Sequence, residues 1–535
     1  MEEKETYSWW KHGVFYHIYP KSFKDSNGDG VGDIPGIIEK LDYLVDLGID
    51  AIWLSPVYKS PMVDFGYDIS GYRKIDPLFG SMEDIKELIA QVHSRGMKLV
   101  MDLVMNHTSD QHPWFVESRS SIDNPKRDWY IWHEPKNGKI PNNWITNFGS
   151  AAWTYDKYTK QYYYHSFFKE QPDLNWRNED MKRSFFEKIQ FWLDLGIDGF
   201  RLDVINMLIK EKSFRNSSLL SNWFSNQKVL NRNQPRTFKI LQEFRALLDK
   251  YDNKMSIGEI YVLPPGDTNL VAQFLGKGDD MLHLAFDFSL IFCSWNARKY
   301  HEAITKWYDA IPSESWPCFV LSNHDLGRFV KRYSLGIHKY AKAKLLATLL
   351  LTLRGTPFIY YGDEIGMENS RISKKDIKDP YGKKFWPFYT GRDKARTPMQ
   401  WDSSENGGFS KGIPWLPVNE SYKSINVEDQ LKDESSMLNF YRQLIKVRKK
   451  YPSLSMGDWY SITDGVGGVL AYERCCEKEE TVIVLNFSYR KKSFSYQKIR
   501  LSYVLVSTHR GENTMIEASE IILQPYEATV LKLFS

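Results

Sequence analysis

Three acids close apolar, strand-like runs: Asp203 ends GFRLD, Glu259 ends MSIGE and Asp325 ends VLSNHD. Arg201 stands two residues before Asp203, on the same face of a strand. A guanidinium there favours the charged form of Asp203, as a nucleophile requires. Glu259 follows an apolar stretch, and partial desolvation raises the pKa of such a carboxyl until it holds a proton for a leaving group. One ionised and one protonated carboxyl suit acid-assisted displacement at a sugar carbon. His107 after DLVMN and His324 beside Asp325 also fall at strand ends and read as hydrogen-bond donors to a substrate. One strand-end acid alone reads equally well as a loop cap or salt-bridge partner, but three of them with an arginine point to a shared cleft.

Helices and strands must bring these side chains together. Eight apolar runs read as strands: GVFYHIYP, DAIWLSP, KLVMDLV, DGFRLDV, KMSIGEIY, HLAFDFSL, CFVLSNHD and PFIYYGDE, most of them separated by helical pattern. YLVDLGIDAIWLSP (43–56) and FWLDLGIDGFRLDV (191–204) repeat one unit, a helix end, a glycine turn and an apolar strand. Ile37, Leu41, Leu44 and Val45 share one helical face, and Ile85, Leu88, Ile89 and Val92 share another. The expected fold class is α/β, a (β/α)8 TIM barrel whose chemistry sits at the C-terminal ends of the strands. The stretch after the third strand is too long for one helix and is rich in Trp, Tyr, Asn, Pro and Gly, which marks an inserted loop domain. After MLNFYRQLIKVRKKYPSL come short alternating runs such as TVIVLNFS and EATVLKLF, which read as antiparallel strands. The expected division is a barrel over 1–103 and 174–454, an inserted domain B over 104–173 and a C-terminal β-sandwich domain over 455–535.

The loop DSNGDGVGD (25–33) starts like an EF-hand, but position 12 is Gly36 instead of Glu, a strand-like run precedes it, and no second copy follows. What remains is an oxygen-rich loop in which Asp25, Asn27, Asp29, the carbonyl of Val31 and Asp33 converge on one hard cation. A structural Ca²⁺ is expected, with Mg²⁺ as the alternative, and no organic cofactor. A net charge of +4 over 535 residues lacks the concentrated basic face of a nucleic-acid binder. No apolar run reaches membrane-spanning length, and MEEKETYSWWKHG lacks the apolar core of a signal peptide. Cys293, Cys318, Cys475 and Cys476 are too sparse for a disulfide framework. The expectation is a soluble, cytoplasmic protein acting on a small substrate, as a monomer or weak homo-oligomer.

At these residues the chain resembles glycoside hydrolase family 13, the α-amylase family, and within it the exo-acting α-glucosidases and oligo-1,6-glucosidases. The resemblance covers nearly the whole chain and rests on five ordered motifs: DLVMNH (102–107), QPDLNW (171–176), GFRLDV (199–204), GEIY (258–261) and LSNHD (321–325). It implies that Asp203 is the nucleophile, Glu259 the general acid/base and Asp325 the acid that grips the sugar hydroxyls. By the same resemblance His107, Phe167, Arg201 and His324 line the glucose pocket. DFGYD implies that Asp64 binds the terminal glucose and Tyr67 stacks beneath it. GRDKARTPMQW (391–401) implies that Arg392 or Arg396 completes that end, and sequence leaves both open. The opening loop then stiffens the barrel rim.

The implied reaction is retaining hydrolysis, with carboxyls about 5 to 5.5 Å apart. Val204 resembles the branched residue of α-1,6-selective enzymes, whereas GEIYVLPP and LIKEKSFRN look closer to broad α-glucosidases and NHDLGR departs from the form common in oligo-1,6-glucosidases; short α-glucosides with α-1,6 slightly favoured are expected. Trehalose synthase and sucrose isomerase share the machinery and are the alternative. A catalytically dead relative or a binding module would not need three acids and an arginine at strand ends.

Overall fold

A computed structural model describes residues 7–218, 230–262, 267–333, 338–477 and 479–534. Eight parallel strands carry the fold: β1 (Phe15–Ile18), β2 (Ala51–Leu54), β3 (Lys98–Val104), β4 (Gly199–Asp203), β5 (Met255–Gly258), β6 (Leu284–Ala285), β7 (Cys318–Val320) and β8 (Thr356–Tyr360). They pair in the order β6-β5-β4-β3-β2-β1-β8-β7. A single parallel bridge from Asp287 to Phe319 joins the two remaining edges and closes the barrel.

The two faces of each strand carry different residues. Phe15, Trp53, Val100, Ile257, Phe286 and Phe358 pack together inside the barrel. Their neighbours Tyr16, Ile52, Leu99, Phe200, Phe319 and Ile359 face the surrounding helices. Strands buried on both faces explain the near-continuous apolar runs. The helix Met82–Ser94 presents Ile85, Leu88, Ile89 and Val92 to that outer layer and starts from a Ser81–Asp84 capping box.

Val45 does not share the buried face expected for it. The predicted helix is two, Ile34–Glu39 and Leu41–Leu47, and the second buries a narrow stripe of Leu41, Leu44 and Leu47 that leaves Val45 42% exposed. The repeated unit is real in three dimensions. Gly48 and Gly196 both end their helices at positive φ, 93° and 108°. Two residues on, Asp50 accepts from the Val14 amide and Asp198 from the Leu99 amide, tying each turn to a neighbouring strand.

Between β3 and the helix Glu179–Leu195 lies a small antiparallel sheet of Trp132–His133, Tyr162–Tyr164 and Trp153–Tyr155, over a cluster that includes Trp144, Trp153 and Tyr164. After the helix Met437–Lys450, a six-stranded antiparallel sheet and a two-stranded one enclose Val469, Val482, Phe494, Val504 and Leu523. Among the described residues no helix is long and apolar enough to cross a membrane.

Candidate active site

Strand register assembles the centre of the site. Asp102 sits level with Arg201, Val104 with Asp203, and Ile257 with Arg201 on the other side. Glu259, two residues beyond Ile257, therefore comes up beside Asp203 on the same inward phase. Arg201 is 1% exposed, and its Nη1 donates to Asp102 Oδ1 at 2.9 Å and to Asp203 Oδ1 at 2.8 Å. Its Nη2 donates to Glu259 Oε2. Three carboxyl groups thus crowd one guanidinium, and full ionisation would leave two negative charges unmatched. Burial pushes Asp203 and Glu259 up, Arg201 opposes it, and the like charges reinforce the rise. The Asp203 and Glu259 carboxyls also hydrogen-bond each other. Burial thus outweighs Arg201 at Asp203, whose carboxyl stands above the ordinary carboxylate range instead of being held in its charged form, and it titrates as a unit with Glu259.

Asp203, Val204, Glu259 and Asp325 line one cavity of about 380 Å³ with Asp64, Tyr67, His107, Phe167 and Arg392. Arg201, His324 and Arg396 stand behind its wall, each 1% exposed or less. The two arginines left open by the sequence both belong here, with different partners. Arg392 donates to Asp64 Oδ1 at 2.7 Å and closes one end of the cavity. Arg396 donates to Asp325 Oδ1 at 2.7 Å and to the His324 carbonyl at 2.7 Å. Burial works against the charge of Asp325, but His324, Arg396 and Arg392 outweigh it and hold the carboxyl well below the usual range. Burial pushes His324 down to about 3, so the ring is neutral. Its Nε2 meets the Tyr67 hydroxyl at 2.7 Å, and the two rings stack in parallel 5.4 Å apart. His107, also pushed down by burial, reaches the Tyr67 carbonyl at 3.1 Å.

Several supporting residues were not singled out from sequence. Asp102 accepts from Arg201, Trp53 and Tyr67; its inward phase, as the residue that opens DLVMNH, was the available signal. Gln171 donates to Asp64 Oδ2 at 3.2 Å, and Asp379 holds Arg392 through Nε and Nη2 at 3.1 Å each. Asp287, pushed up to about 6 by burial, is a further carboxyl on the cavity wall. Phe148, Tyr261, Tyr381 and Tyr389 add aromatic rings to the lining, and no strand pattern announces them.

The loop at 25–33 is wound by its own side chains. Asp25 accepts from the amides of Asn27, Gly28 and Gly30, Asn27 from that of Asp29, and Asp29 from that of Val31. Asp33 caps the helix Ile34–Glu39 through the Gly36 amide. Carboxylate, amide and carbonyl oxygens alone suit a hard cation. The ligand oxygens of Asp25, Asp29 and Asp33 are not gathered within 4.8 Å of one another, and Asp29 is exposed, so coordination requires its side chain to turn inward.

The comparisons agree with this geometry. Residues 17–457 match the α-amylase catalytic-domain model. The chain is 42% identical to an oligo-1,6-glucosidase of Parageobacillus thermoglucosidasius, over 98% of this chain and 99% of that one. It is 36% identical to a trehalose-6-phosphate hydrolase of Bacillus subtilis, over 100% and 99%. Among solved structures, the trehalulose synthase of Pseudomonas mesoacidophila superposes with a TM-score of 0.92 at 37% identity, over 99% of this chain and 100% of that one. A barrel with its carboxyls at the strand ends, matched along nearly its full length by these relatives, makes this chain a glycoside hydrolase of the α-amylase family, family 13.

Proposed function

We propose that the protein is an exo-acting, retaining α-glucosidase that releases α-glucose from the non-reducing end of short α-glucosides, α-1,6 slightly favoured over α-1,4. The observation that carries this reading is the shared Arg201, which holds the Asp203 and Glu259 carboxyls together in a cavity closed by the Asp64–Arg392 pair. Carboxyls this close suit retention, because inversion needs room for a water between them. Asp203 attacks the anomeric carbon while Glu259 gives its proton to the departing glycosidic oxygen. Water then attacks the same carbon, Glu259 takes its proton, and Asp203 leaves. Asp325, kept ionised by its arginines, grips the sugar hydroxyls. A panel of isomaltose, maltose, sucrose and trehalose with anomer-resolved NMR tests this: α-glucose is the expected first product, and β-glucose or no glucose overturns it.

Likeness to trehalulose synthase supports a second reading, transfer of the glucosyl group to a sugar. Isomerised disaccharide accumulating from sucrose with little free glucose would favour it. A Ca²⁺ or Mg²⁺ on the loop at 25–33 would stiffen the rim beside the site, taking no part in the chemistry. Chelation is then expected to lower the melting temperature and added Ca²⁺ to restore it. None of the four cysteines is in a disulfide, which suits the cytoplasm we assign.

A further inference from the structure

Among the described residues, Arg232 is a guanidinium beside the cavity that faces no acid. It is 9% exposed, and among the described residues no carboxylate pairs with it. The adjoining stretches 219–229 and 263–266 contain no Asp or Glu. Its Nη2 donates to Asn147 Oδ1 at 3.1 Å, its Nε to Asn231 Oδ1 at a long 3.4 Å, and its Nη1 to nothing among the described residues. The guanidinium carbon lies 5.5 Å from the centre of the Tyr261 ring. Asn147 and Tyr261 both line the cavity, so Arg232 stands directly behind its wall. The neighbouring buried cation, Lys210, is matched by Asp173. This side of the site therefore carries an unmatched positive charge, whereas at the closed end Arg392 meets Asp64 and Asp379.

A buried charge without a counter-ion is costly, and amide and aromatic contacts compensate it only in part. A planar fork with one arm unbonded and the other on a neutral side chain is suited to receive an oxyanion in two parallel hydrogen bonds. Asn147 is on the cavity wall, so its bond to Nη2 is the one that an incoming anion replaces. We infer that the aglycone side of this cavity takes an anionic leaving group, a sugar carrying a phosphate ester, with Arg232 as its counter-charge. The inference rests on the α-glucosidase reading and names its substrate class: cleavage delivers glucose and a phosphorylated sugar, with the bonds made and broken unchanged.

Calorimetric titration of the whole protein with glucose, glucose 6-phosphate and inorganic phosphate tests it. Glucose 6-phosphate is expected to bind about tenfold or more tighter than glucose and tighter than phosphate alone. Arg232→Met should remove that preference and Arg232→Lys keep part of it, both variants being checked by thermal melting. Equal affinity for the two sugars in the unaltered protein overturns the proposal even if every variant misfolds. So does a preference that survives in Arg232→Met, or inorganic phosphate binding as tightly as the phosphorylated sugar. Hydrolysis of p-nitrophenyl α-glucoside reports separately on the α-glucosidase reading, because that aglycone carries no phosphate.

Discussion

Two groups of largely buried arginines differ in their partners. Around the cavity, Arg201, Arg392 and Arg396 meet carboxylates, and although burial disfavours their charge, all three are lifted above the ordinary value, Arg201 by Asp102 and Glu259, Arg392 by Asp64 and Asp379, and Arg396 by Tyr19 followed by Asp325. At the seam between barrel and C-terminal sheet, Arg448 donates to the carbonyls of Leu351, Leu353 and Gly355, and Arg474 to those of Thr352 and Gly457. Burial without an ion-pair partner pushes both of those down. The seam pair caps the end of the helix Lys339–Thr352, where aligned carbonyl dipoles suffice. The cavity set must instead balance charge that moves during a reaction. Removing an acid from the cavity should therefore hurt chemistry and spare the fold, and removing a seam arginine should do the reverse.

The largest effect expected is from Asp203→Asn, which should lower kcat/KM on p-nitrophenyl α-glucoside by about 10⁴-fold or more. Its melting temperature should hold or rise, since one of three crowded carboxylates is gone. Arg448→Met reverses the pattern: denaturant unfolding should show a loss of about 3 kcal/mol as three buried carbonyls lose their donor, with kcat/KM nearly unchanged. A catalytic loss from Arg448→Met as large as its loss of stability would break the contrast.

A smaller effect sharpens it. Asp287, which accepts from the amide and hydroxyl of Ser289, is raised from 3.8 to about 6 by burial, so the folded chain holds its proton more tightly than the unfolded chain. Its contribution to stability is full below pH 3.8 and is lost as pH rises through about 6. Asp287→Asn should flatten the stability profile in that window and gain about 1 kcal/mol at pH 8, read by unfolding at several pH values. Smallest is Val204→Ala, expected to lower the ratio of isomaltose to maltose turnover by about threefold. Val204 holds φ at 38° and ψ at 45°, a strained conformation for a β-branched residue directly after the nucleophile. An unchanged ratio removes its claim on linkage.

The barrel and its strand-end acids were legible because both follow from a two-residue period: inward residues of adjacent strands must meet, so Arg201, Asp203 and Glu259 had to converge. Loops obey no such period. The choice between Arg392 and Arg396 depends on the path of the 391–401 segment, and the structure seats both. Gln171 reaches Asp64 only because the inserted domain folds back over the strand ends. Val45 was misread because apolar spacing does not tell how wide a stripe of a helix its neighbours cover, and here Leu41, Leu44 and Leu47 fill it. Arg232 shows no sequence signal, since its meaning lies in the acid it lacks.

The barrel's circumference is uneven. Seven joints between strands are ladders, and the eighth, between β6 and β7, is one bridge at Asp287 and Phe319 with a 3.3 Å bond from the Asp287 amide to the Cys318 carbonyl. A hoop gives way at its thinnest stave. Amide exchange at Asp287 should outpace that of the β3 and β4 ladder, and warming would loosen the wall of the sugar chamber at this joint while Asp102, Arg201 and Asp203 on β3 and β4 still hold their shape.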